Sequence, residues 1–295
     1  MPHFMYHCVL MLLSYLNMTV MMNEEAWHSG IFIKRYFAPK METQNNNFAM
    51  YTFNCRSVKN SVHEVRELCA KYDLILIQKH WLLPNELGML NNIHPEFMSV
   101  AHSAVDISHD VLVGRQYGET AILYGKSLSN FITRLPSPDP RISAVVMQTD
   151  AMCCVYMPTD YRTAECHEEF TATCAHITTL YADCNAVHLI AAGDFNCQHG
   201  SRFYESFVKF ANDNNLCFTD SRFLCNDFTY SNDSCTRYSW TDHVLCSPRI
   251  DAIANSCMVL YDFVNSDHNP LLTVFNCLLR NQNNQVPSAY GHVDK

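Results

Sequence analysis

From Phe48 onward, short apolar runs alternate with segments whose apolar positions recur every three or four residues. That alternation is expected of strands interleaved with helices. Residues 49–53 read as a β-strand. Ser61 and Glu64 form an S-x-x-E capping box, and Val62, Val65, Cys69 and Tyr72 share one helical face, so a helix follows. Residues 74–77 are a second, buried strand. Further strands are expected at 120–124, 142–149 and 152–156, the last two as an antiparallel hairpin turning at Asp150 and Ala151. A helix carrying Phe170, Cys174, Ile177 and Tyr181 leads into a strand at 187–191, and another carries Phe203, Phe207 and Phe210. Short strands near 228–230, 244–246 and 271–275 complete the pattern. Strands that pair as hairpins and are also separated by helices predict a two-sheet α/β layered fold rather than a purely parallel one.

Apolar residues are 48% of the 295 and charged residues 17%, which excludes an intrinsically disordered or collagen-like chain. A polar run, 42–47, precedes the pattern, so the expected organisation is a poorly ordered extension (1–47), one domain (48–276) and a tail (277–295). The first 22 residues are apolar, but no Lys or Arg precedes the run and no small-residue cleavage pattern follows it. Asn17 and Thr19 cut it short of the ~20 residues that span a bilayer. An intracellular protein, nuclear or cytoplasmic, without membrane attachment is therefore favoured over a secreted one. Fifteen cysteines, an odd number without any CxxC pair, read as reduced, mostly buried thiols rather than a disulfide or zinc framework. The net charge of −9 offers no general basic field for nucleic acid. Binding would fall to a few local Arg and Lys residues and a cation held by carboxylates.

Candidate chemistry gathers where apolar runs end. Residues 187–191 run into Gly193, Asp194, Phe195 and Asn196; alone, this could be an Asx turn. Asn54 ends the first strand, Tyr156 ends another, Asp242 and His243 begin a short strand, and Ser266, Asp267 and His268 precede the last. A set of Asn, Tyr, Asp and His at five strand ends suits a hard cation and a phosphate, hence phosphate-ester hydrolysis.

These motifs, NCRS at 54–57, IQKHWL at 77–82, GRQYGETAILY at 114–124, VYMP at 155–158, GDFN, SWTDHVLCS at 239–247 and SDHNPL, follow one another in a familiar order. The chain resembles the endonuclease/exonuclease/phosphatase superfamily, and within it the endonuclease domain of non-LTR (LINE-type) retrotransposons, over about residues 48 to 276. Arg56, where apurinic enzymes usually carry an acid, favours the retrotransposon branch. The resemblance implies a DNase I-like four-layer α/β sandwich: two packed, mixed, largely antiparallel sheets flanked by helices. It implies a monomer acting on DNA with Mg²⁺, or Mn²⁺ in its place; with Lys295 following soon after SDHNPL and no polymerase domain in the sequence given, a detached endonuclease module is the expectation. Asp194 would orient the attacking water, with Asn196 and Asn54 near the phosphate. His268 would donate to the phosphoryl oxygen, Asp242 would fix its ring, and Tyr156 would bond the phosphate or leaving oxygen. Asp267 would lie on the metal side, and Arg56 and Thr229 near the DNA backbone.

Three positions depart from the family's pattern. Its principal metal-binding Glu is Lys79 here, and an ammonium has donors but no free lone pair. The exchange turns attraction for a cation into repulsion, about 4 kcal/mol between unit charges ~4 Å apart at an effective dielectric of ~20. A loss of metal-dependent turnover is expected; the alternative is a built-in cation paired with Asp267 or Asp194. Glu119 replaces a second Gly, and Thr241 an apolar residue. The resulting readings are an impaired DNA-nicking hydrolase, a non-catalytic nucleic-acid-binding relic, or a phosphatase or phosphodiesterase on the same core. His80, His243, Trp81 and Trp240 are expected to serve packing.

Overall fold

The computed structural model describes residues 47–105, 119–261, 263 and 265–276. The expected extension up to residue 46, residues 106–118 with the start of the GRQYGETAILY motif, and the tail from residue 277 lie outside the described residues.

Six strands form the first sheet: β1 (Asn47–Asn54), β2 (Leu74–Gln78), β3 (Phe97–His102), β4 (Thr120–Gly125), β13 (Ala254–Val259) and β14 (Leu271–Asn276). Their order is β13-β14-β1-β2-β4-β3, antiparallel except for β1 and β2. The second sheet holds β5 (Ile132–Leu135), β6 (Ile142–Met147), β7 (Asp150–Tyr156), β8 (His188–Asp194), β9 (Cys217–Phe218) and β12 (Asp242–Cys246). It runs β5-β6-β7-β8-β12-β9, with β7 and β8 its one parallel pair. A two-stranded ribbon of β10 (Tyr230–Ser231) and β11 (Tyr238–Ser239) stands apart.

Each parallel pair requires a crossover, and a helix supplies it: α1 (Val62–Cys69) between β1 and β2, and α3 (Ala164–Asp183) between β7 and β8. The short α2 (Gly88–Asn91) precedes β3, α4 (Tyr204–Asp213) follows β8, and α5 (Pro248–Ile253) follows β12.

Period-two alternation sorts the strand residues. Phe48 and Met50 of β1, Leu74 and Leu76 of β2, Met152 and Cys154 of β7, and Ile190 and Ala192 of β8 meet in one cluster between the sheets. Their neighbours point outward: Tyr51, Phe53 and Ile75 pack on Val65 and Leu68 of α1, and Cys153, Val155, Leu189 and Ala191 on Phe170 and Ile177 of α3 and Phe207 of α4. Burial on both faces explains why these strands read as continuous apolar runs. Full burial of each such side chain contributes about 1.5–3 kcal/mol.

Two local expectations are corrected. The capping box does not form: Ser61 Oγ donates to the Cys55 carbonyl at 3.1 Å, and Glu64 instead accepts a hydrogen bond from Asn265. The β6–β7 hairpin turns at Gln148 (φ 57°) and Thr149, with Asp150 already paired to Met147. All thirteen described cysteines are free, and burial pushes thiols such as Cys55 and Cys154 up to about 12. No helix among the described residues is long and apolar enough to cross a membrane.

Candidate active site

The alternation that fills the core also builds the site. Continued to the strand ends, the inward parity places Asn54 of β1, Gln78 of β2, Tyr156 of β7, Asp194 of β8 and Asp242 of β12 on the face between the sheets. Register aligns Tyr156 with Asp194 and Asp194 with Asp242. Gly193 lets β7 and β8 lie close enough: its φ is +146°, and a Cβ there would fall 2.0 Å from the Val155 carbonyl oxygen.

Asn54 Nδ2 donates to Asp194 Oδ2 at 2.8 Å, and His268 Nε2 stands 3.6 Å from the same oxygen. His268 Nδ1 is 2.8 Å from Asp242 Oδ2. Asn54 and Asp194 are 0% exposed, Asp242 2% and His268 3%. His268 is carried in by the segment before β14, where Ser266 Oγ donates to the Asn54 carbonyl at 2.6 Å and accepts the His268 amide at 3.1 Å. Asn196, in a left-handed turn (φ 47°), donates its amide to Asp194 Oδ1 at 2.9 Å and its Nδ2 to the Met157 carbonyl at 2.8 Å.

Burial raises the Asp194 carboxyl above its ordinary range, with His268 and Lys79 opposing the rise. Burial works against charge on His268, but the Asp242 and Asp194 carboxylates outweigh it and raise the imidazole, again against Lys79. Burial, and then Asp194, hold Tyr156 as a neutral phenol.

Lys79 follows β2 in a left-handed conformation (φ 53°), and its amide donates to the Glu119 carbonyl at 3.0 Å. Its ammonium lies 5.3 Å from the centroid of the Tyr156 ring, and its charge acts on both Asp194 and His268. Behind this turn Glu119 is buried, 3.7 Å from His80 Nδ1. This contact is not an ion pair at neutral pH, because burial pushes His80 down to about 4 and Glu119 up to about 7. His80 is tied instead to the His102 carbonyl (3.0 Å) and the Leu82 amide (3.1 Å).

The remaining expected residues fall at the rim or beneath the site. Arg56 pairs with Asp233 at 2.8 Å and stands 3.7 Å from Asp267 Oδ2. Thr229, expected near the substrate, is wholly buried, its hydroxyl accepting the Thr241 and Asp242 amides at 3.0 Å each. It presents no surface to a ligand and steadies Asp242 instead. His243 points away from its neighbour Asp242: its ring bonds Asp220 Oδ2 at 2.9 Å and the Cys197 carbonyl at 2.8 Å, with Trp240 stacked on it. Sequence reasoning named Ser266 without its role as the link between Asn54 and His268, and it missed Gln78, buried beside the site on β2, and Asp220, the partner of His243. Parity along β2 would have found Gln78, and the SDHNPL motif already marks Ser266; no local signal marks Asp220.

Asp194, Asp242 and His268 bring one potential ligand atom each within 4.8 Å of one another. These atoms already serve one another, and a hard cation prefers six or more oxygens. Two buried oxygens stay without partners, Asn54 Oδ1 and Asp267 Oδ1, but Lys79, 5.3 Å from the Tyr156 ring, brings an ammonium with no lone pair to offer. The set as it stands does not fit a resident divalent ion.

Two mixed six-stranded sheets with flanking helices and a polar cluster at the strand ends make a DNase I-like sandwich. The chain belongs to the Endonuclease/Exonuclease/phosphatase family, whose model matches residues 51–268. That family is generally divalent-metal dependent. No curated protein matches the sequence. Among solved structures the fold is similar to a 3′ phosphatase, NExo, from Neisseria bound to product DNA hairpin, with a TM-score of 0.62, 16% identity, and 78% of this chain and 99% of that one covered. It is similar to the AP endonuclease LMAP from Leishmania major, with a TM-score of 0.62, 15% identity and coverage of 90% and 98%. The endonuclease domain of TRAS1, a telomere-specific non-LTR retrotransposon, aligns with a TM-score of 0.57, 13% identity and coverage of 79% and 100%.

Proposed function

We propose that the protein is a phosphodiester hydrolase of the DNA-nicking type whose metal-dependent step is impaired by Lys79. The observation that carries this reading is the Asn54–Asp194–His268–Asp242 chain, complete between the sheets, with a lysine ammonium beside it. In this reading Asp194 orients water, Asp242 accepts from His268 Nδ1–H and fixes the ring, and His268 donates to the phosphoryl oxygen from Nε2 when the ring is in its protonated, imidazolium form. Tyr156 and Asn196 bound the phosphate, Asp267 lies on the side of the Mg²⁺ or Mn²⁺ that the family's chemistry uses, and DNA is the partner. A Lys79 ammonium opposes binding of that ion.

The test is nicking of supercoiled plasmid with Mg²⁺ or Mn²⁺ by the wild-type chain and by Lys79→Glu, with circular dichroism to confirm folding. The expected result is a gain of at least about tenfold, equivalent to ~1.4 kcal/mol. A folded Lys79→Glu protein no more active than wild type refutes the single-lesion account. A second reading, a DNA-binding module without turnover, is favoured by the poor fit to a divalent ion and by Arg56 at the rim. It expects salt-sensitive DNA affinity, with Arg56→Ala reducing the salt slope by about 1.

A further inference from the structure

The ribbon of β10 and β11 stands apart from both sheets, yet it is held at its base and at its tip. At the base Tyr230 bridges to His268, the Ser231 amide donates to the Asp267 carbonyl at 2.9 Å, and the Asn269 amide donates to the Thr229 carbonyl at 2.6 Å. At the tip the Asn232 side chain organises the turn. Its Oδ1 accepts the Thr236 and Arg237 amides at 2.8 Å each, and its Nδ2 donates to the Ser234 and Thr236 hydroxyls at 2.8 and 3.0 Å. Residues 233–238 are exposed.

From this turn Asp233 reaches back to Arg56, two residues beyond Asn54. Arg56 Nη1 donates to Asp233 Oδ1 at 2.8 Å and Nη2 to Oδ2 at 3.4 Å. A guanidinium takes two oxygens of a phosphate with the same fork, so the carboxylate uses the donors that a phosphate would need. Asp267 belongs to the segment before β14 and stays 3.7 Å from Nη1, beyond hydrogen-bond reach. The Asp233 side chain is 77% exposed, so its pair with Arg56 is weak and readily exchanged.

We propose that the β10–β11 ribbon is a strap fastened by Asp233 on Arg56, which a backbone phosphate of the nucleic acid must unfasten to reach the guanidinium. The proposal rests on reading DNA as the partner of this site, and it makes the strap a brake on DNA binding. A fluorescently labelled DNA duplex is titrated with the full chain in EDTA and followed by anisotropy, for wild type, Asp233→Asn, Arg56→Ala and the double variant. Trypsin cleavage after Arg237 reports release of the ribbon without DNA. Asp233→Asn is expected to bind about threefold more tightly than wild type, the scale of an exposed ion pair. The gain should vanish in the Arg56→Ala background, and cleavage after Arg237 should speed up in both single variants. Equal affinity of wild type and Asp233→Asn overturns the proposal and leaves the DNA reading standing. A gain that survives Arg56→Ala also overturns it, because that gain comes from the lost negative charge alone, as does cleavage unchanged in both single variants. No DNA binding by any of the four proteins removes the DNA reading itself, and the brake with it.

Discussion

His268 Nδ1 meets Asp242 Oδ2 at 2.8 Å, joining the segment before β14 to the start of β12. The contact raises the imidazole above its unfolded value near 6.5. A raised folded value stabilises the protein fully below about pH 6.5, and that contribution is lost as pH rises through the folded value. Asp194, raised by burial, acts in the same direction at lower pH. Asp242→Asn is expected to move the His268 titration down and to flatten the fall in stability above neutrality. Histidine NMR and urea melts between about pH 6 and 9 provide the check.

Gly193→Ala places a methyl group against the Val155 backbone, a neighbour that cannot rotate away. The β7–β8 ladder must then open just before Asp194. A loss of about 2–4 kcal/mol is expected in chemical denaturation, and an unchanged midpoint would show that the ladder has more slack than its register indicates.

Glu119 is 1% exposed, and burial pushes it up to about 7, so ionisation costs stability as pH climbs from its unfolded value to that point. Glu119→Gln, which keeps the shape without the charge, should stabilise the protein by about 2–3 kcal/mol near pH 8 and by little near pH 4. Melting curves at the two pH values separate this from a packing effect, which would appear equally at both.

His243 is a buried cation held by Asp220, and Asp220 Oδ1 also accepts the Val244 amide at 3.1 Å. Asp220→Ala leaves that imidazolium unpaired and should cost about 3–5 kcal/mol. Because His243 and Asp220 lie on the opposite face of β12 from the Asp242–His268 contact, stability should fall while the His268 titration moves far less than it does in Asp242→Asn.

Strands β1, β2, β7 and β8 were legible because burial on both faces makes them apolar throughout. Edge strands were not: β5 is only four residues long with none of them buried, β13 shows no period-two burial over its six positions, and β3 carries Ser99 and His102 among its apolar residues. The strand-end polar residues were visible as motifs, and the order of those motifs pointed to the fold. Their partners were not visible, because tertiary contacts choose them. Adjacent Asp242 and His243 face opposite sides of one sheet, so one meets His268 and the other Asp220. Ser61 and Thr229 give their hydroxyls to groups that only the folded chain brings near.

The Lys79 ammonium lies inside the field of the Asp194–His268–Asp242 cluster. The His268 titration in wild type and in Lys79→Met, followed by ring ¹⁵N shifts, measures that field directly. Removing the ammonium should move the His268 midpoint upward, because Lys79 opposes protonation of the ring. An unchanged or lowered midpoint in a folded Lys79→Met protein would contradict the account.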